Sequence, residues 1–154
     1  MYAWLLFAHS LFRWLVLASL LVAIFRAYKG YTSQSAFSQT DNAIRHWTAT
    51  IAHIQLLIGF TLYLKSPLVK YFIGHFKEAV ANRDAVFFGV VHIACMLVAI
   101  VLITIGSALA KRKPTAREQF GTQLIWFSAA LLLIVLAIPW PFSPLANRPY
   151  IRTF

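Results

Sequence analysis

Apolar residues run in four long blocks separated by short polar connections: Met1–Arg26, Ala43–Leu64, Ala85–Ala110 and Phe120–Trp140. About twenty residues carry a helix across a hydrocarbon core about 30 Å thick, so each block is long enough to span a membrane. The third has no charged residue from Ala85 to Ala110, which argues against a soluble core helix. The pattern predicts an all-α protein: a four-transmembrane-helix bundle forming one integral membrane domain over residues 1–154.

The connections sharpen this picture. Lys29–Asn42 is polar, and Asp41 or Asn42 is placed to cap the second helix. Ser66–Asn82 differs: Val69, Phe72, Ile73, Phe76 and Val80 recur at helical spacing. That spacing predicts a short amphipathic helix in the membrane interface between helices two and three. In the third connection, KRKPTAREQ, Pro114 stops one helix and Thr115 with Glu118 starts the next. The run IPWPFSP ends the fourth. Tyr2, Trp4, Tyr28, Tyr31, Trp47, Tyr63 and Trp140 bracket the spans at head-group level, whereas Trp14 and Trp126 fall deeper, as packing residues.

Composition agrees with a lipid environment. Only 12% of residues are charged, about half the share usual in a soluble domain. The net charge of +10 comes from cations gathered at span ends, where they meet lipid head groups. No basic soluble fold is left over for nucleic acid. The expected partners are the bilayer and either further copies of the chain or a larger membrane complex. The first block lacks a basic leading region and reads as a retained helix. One membrane face carries Arg26, Lys29, Arg45, Lys111, Arg112, Lys113 and Arg117; the other carries Lys65, Lys70, Lys77, Arg83, Arg148 and Arg152. The dense KRKPTAR run marks the first face as cytoplasmic, and the expected location is a bacterial inner membrane.

Chemistry concentrates in three histidines, His9, His53 and His92, one in each of the first three blocks. Ionisable groups inside a membrane are costly and mark functional sites. At about 1.5 Å of rise per residue, His9 and His92 both lie roughly 12 Å from the same face, and His53 about one turn deeper. The first and third helices of such a bundle are diagonal, with room for an iron between two imidazoles. His9 and His92 are therefore candidate axial metal ligands of a b-type haem, with His53 and His92 as the alternative pair. Arg13 follows His9 on the same face, and no carboxylate of the chain reaches its depth. A haem propionate, a quinone oxygen, a partner subunit or backbone carbonyls would have to meet it. Structural hydrogen bonding of each histidine and a proton relay remain open as alternatives. His46 and His75 lie near span ends, where solvent reaches them. The spacing of His92 and Cys95 offers a weak metal pair. The lone Cys95 permits no disulfide within the chain, no CxxCH motif attaches haem covalently, and no GxSxG, HExxH or phosphate-binding glycine loop is present.

The segments HSLFRW, IAHIQLLIGF, VVHIACM with LVAIVLITIG, and IPWPF resemble small bacterial four-helix integral membrane proteins filed as cytochrome b-like. The likeness runs from His9 to Phe142. It implies membrane electron transfer through b-type haem; quinone is the further expected exchange partner on the reading from the residues. His9 and Arg13 match the first motif, His53 the second and His92 the third. The family's acidic residue before the third histidine is replaced here by Val91. Two other functions stay open: a cofactor-free accessory subunit of a larger membrane complex, and a small transporter or proton relay.

Overall fold

The computed structural model describes residues 1–151; Arg152, counted above with the second face, lies outside them. Every regular element among the described residues is a helix, in the order α1 (Tyr2–Ser33), α2 (Gln39–Lys65), α3 (Pro67–Gly74), α4 (Phe76–Ala79), α5 (Arg83–Val86), α6 (His92–Arg112) and α7 (Ala116–Ala137), followed by an irregular segment from Ile138. A single π-helical turn, Phe87–Val91, joins α5 to α6. Among the described residues four helical stretches are long and apolar enough to cross a membrane: α1, α2, Arg83–Arg112 and α7. This is a membrane protein built as a four-helix bundle.

Helix ends follow local chemistry. α1 continues past Arg26 to Ser33 and stops at Gln34, whose left-handed backbone (φ 52°) turns the chain. Much of the polar Lys29–Asn42 connection is therefore helix. Ser38, rather than Asp41 or Asn42, caps α2; Asp41 is the third residue in and returns a bond to the Ser38 backbone. The expected Thr115–Glu118 box caps α7. The single interfacial helix is split: α3 ends at Gly74, and α4 is one turn long. Val69 and Phe72 turn inward, while Ile73, Phe76 and Val80 are exposed.

α1 packs against α2 and α7, α6 packs closely on α7, and the α2–α6 seam is the thinnest. α1 and α6 thus face each other across the diagonal. The core is Leu20, Ala23, Ala52, Ala99, Ile103, Phe127 and Ala130, all fully buried. Leu and Ile exposed on the outer faces, such as Leu57 and Ile125, suit lipid.

Lipid supplies no hydrophobic force between helices, so polar bonds between spans matter more than their number suggests. Gln123 Nε2 donates to the Ala23 carbonyl (3.1 Å) and ties α7 to α1. Thr48 Oγ1 donates to the Ser19 carbonyl (3.3 Å), tying α2 to α1. Arg45, counted by sequence among the cations of one membrane face, is instead buried. It donates to both the carbonyl (2.9 Å) and the hydroxyl of Ser107, and to Asn42 Oδ1 (2.8 Å). It clamps the thin α2–α6 seam. Beside it Arg26 pairs with Asp41 at 2.7 Å.

Candidate functional site

His9 on α1 and His92 at the start of α6 converge in the bundle. Their ring centroids lie 6.3 Å apart with planes at 78°. The two helices run in the same direction, and helical side chains lean toward their own N-terminus. Both imidazoles therefore lean toward the same membrane face and meet.

Each ring is held by a distinct device. His92 Nδ1 lies 2.9 Å from the Ala137 carbonyl. A carbonyl only accepts, so Nδ1 carries the proton and Nε2 keeps the lone pair. Ala137 is free to accept because α7 ends there and the residue four positions on is Pro141, which has no N–H. Just upstream, the π turn widens the third span at its entry into the site; such turns recur at functional positions. Gly89 inside it admits the Phe72 ring, since a Cβ there would lie 2.5 Å from Phe72 Cδ1. Phe87 and Phe88 flank His92 at 5.6 and 6.2 Å.

His9 sits against α2. A Cβ at Gly59 would lie 2.9 Å from His9 Cε1, so only glycine leaves room for this ring. Gln55, one turn earlier on α2, donates to the His9 carbonyl at 2.9 Å. His9 Nδ1 and Gln55 Oε1 are buried with no hydrogen-bond partner.

Arg13 lies one turn beyond His9 and meets the C-terminal segment. Its guanidinium donates to the Tyr150 carbonyl and lies over the rings of Trp14 (5.5 Å) and Trp140 (5.7 Å). Trp14 Nε1 donates to the same carbonyl at 3.3 Å. A backbone carbonyl and two indole faces thus meet this cation, although Arg13 Nε stays buried and unbonded. Trp14 is a partly exposed member of that cluster. Arg148 secures the tail by pairing with Asp84 at 2.6 Å and lying 4.9 Å over the Phe88 ring.

His53 does not join this group. It is exposed on the outer face, with Nδ1 2.6 Å from the Ala49 carbonyl and Nε2 3.1 Å from Thr104 Oγ1. Thr104 is twelve positions beyond His92, about 18 Å along the helix. Counting residues puts His53 one turn below His92; the structure puts its imidazole much further from it. α2 runs opposite to α6, so its side chains lean toward the other face.

Cys95 is a free, half-buried thiol. His46 and His75 are exposed. Among the described residues no three His, Cys, Asp or Glu side chains cluster to hold a metal ion, so a metal at this site would rest on the His9–His92 pair. The Ala137 carbonyl, the π turn and the Tyr150 carbonyl carry no residue-type signal; of these only Ala137 could be anticipated, from Pro141. No family model, curated protein or solved structure matches the chain.

Proposed function

We propose that this protein is a bacterial inner-membrane electron-transfer protein or subunit, in which His9 and His92 are the axial ligands of a b-type haem. The observation that carries this reading is the 6.3 Å between the two ring centroids. A metal held about 2 Å from one nitrogen of each ring places the ring centres about 6 Å apart. With one nitrogen of each ring turned toward it, the pair would hold an iron between α1 and α6. The Ala137 bond would leave His92 Nε2 as the nitrogen free to ligate and raise its basicity. Phe87 and Phe88 offer apolar edges for a flat macrocycle. The unbonded Arg13 Nε is a donor for a carboxylate or quinone oxygen. When bound, haem supplies a one-electron carrier; the chain's residues hold it, orient it and keep water away. The apolar outer surface leaves room for a larger complex, and quinone is the matching lipid-soluble partner.

Absorbance of the purified protein, expressed with ample haem, tests the reading. The expected result is a Soret band that shifts on reduction and disappears in His92→Ala. A preparation that stays colourless after reconstitution with haem would overturn it in favour of an accessory subunit. Proton flux in liposomes that is lost in His53→Ala, with no haem band, would favour a relay.

A further inference from the structure

The membrane face opposite the histidine pair carries a feature the redox reading does not use. A groove of about 330 Å³ opens between α1, the α6–α7 connection and the first turns of α7. Its outer end is lined by Lys113 and Arg117, and its deeper end by Thr122, Ile125 and Trp126. Residues 117, 121, 122 and 125 lie on one face of α7, so cationic and apolar ends follow one another along the membrane normal. Arg117 lies 5.1 Å over the Tyr31 ring. Tyr31 in turn fits against Gly121, where a Cβ would stand 3.2 Å from its Cε2. The guanidinium is thereby held at the rim rather than free to wander.

Glu118 also borders the groove, but its carboxylate is engaged with the Thr115 hydroxyl (2.6 Å) and backbone N–H (3.2 Å). Two cations and one carboxylate leave the rim with one net positive charge, and Lys111 and Arg112 stand beside it in sequence. Ile125 is 69% exposed and stands about 14 Å along α7 from its first residue.

We propose that this groove is a binding site for one anionic phospholipid. Its single-charged phosphodiester sits between Lys113 and Arg117 beside the Thr122 hydroxyl, and an acyl chain runs along Ile125 and Trp126. Charge complementarity and the cationic-to-apolar order along α7 select this occupant: a zwitterionic head group brings no net charge, and free phosphate leaves the apolar end unused. Basic pockets between spans on a cytoplasmic face hold anionic head groups by the same physics.

Native mass spectrometry of the intact protein, titrated in mild detergent with phosphatidylglycerol, phosphatidylcholine or inorganic phosphate, tests it. The expected result is preferential retention of one phosphatidylglycerol. Affinity should fall about fivefold for each cation removed in Lys113→Gln and Arg117→Gln, since each surface cation contributes on that scale. Arg117→Lys should restore most of it, and Lys70→Gln with Lys77→Gln on the other face should change nothing. Lys113 lies in a connection, so Lys113→Gln keeps the test available should the Arg117 variant misfold. Equal retention of both lipids, or unchanged affinity in Lys113→Gln, would overturn the proposal. So would complete displacement of the lipid by millimolar phosphate, which would mark a site for free anion. None of these outcomes depends on whether haem is bound.

Discussion

His9 with His92 and His53 with Thr104 are two answers to one problem, an imidazole within a membrane span. The first two rings leave lipid and meet each other at 6.3 Å; the third stays on the outer face and bonds to a backbone carbonyl and a hydroxyl. Residue type is the same in the two cases, and each ring belongs to a membrane-spanning helix. Helix direction and the neighbour at the point of contact differ, and they decide whether a histidine is available for chemistry or is engaged by its surroundings. The Thr104 hydroxyl lies within reach of both His53 Nε2 and the Ile100 carbonyl (2.7 Å), and its one proton serves one of these acceptors at a time.

The contrast is broken most completely by exchanging the roles. On the proposed haem reading, His92→Ala abolishes the haem band while His53→Ala leaves its position and intensity unchanged; both are read by absorbance of the purified variants. The reverse result would move the ligand site to the α2–α6 seam. A smaller effect is expected from crowding His9. Gly59→Val puts a side chain where His9 Cε1 would lie 2.9 Å from the new Cβ. It should lower stability in detergent by about 1–3 kcal/mol and weaken the band, whereas Leu57→Val on the exposed face of the same helix should do neither. Equal behaviour of the two variants would show that Gly59 does not shape the site.

Arg45→Met tests the seam itself. It leaves the buried Ser107 carbonyl and hydroxyl without their guanidinium partner, the exposed Asn42 oxygen being open to solvent, and is expected to cost about 1–3 kcal/mol in thermal or denaturant unfolding. The smallest effect belongs to His53 and Thr104. A double-mutant cycle with His53→Phe and Thr104→Val should give a coupling of about 0.6 kcal/mol. A coupling several times larger would mean the outer-face pair holds the bundle together.

The spans were legible because apolar length alone determines them: the third block was bounded to within two residues at each end of Arg83–Arg112. The ends of α1 and α2 were less so. Lys29 to Ser33 are polar yet helical, since a helix leaving the bilayer can extend into water on its own hydrogen bonds. The facing of His9 and His92 was readable from diagonal placement and matched depth. The separation of His53 from His92 could also have been read, because helix polarity fixes the lean of a side chain, and residue counting ignores that. What no pattern announced were the backbone partners. The Tyr150 carbonyl that meets Arg13 depends on the path of an irregular tail, and the burial of Arg45 depends on a serine in a distant span.

The widened turn at Phe87–Val91 has a consequence for how this chain can change. It holds a spare residue, so losing one there lets the backbone relax to ordinary α geometry with both flanks still in phase. A deletion between His92 and Ser107 would rotate everything beyond it by about 100° and swing the Ser107 end of the span away from Arg45. The Arg83–Arg112 span therefore carries its length tolerance immediately ahead of His92.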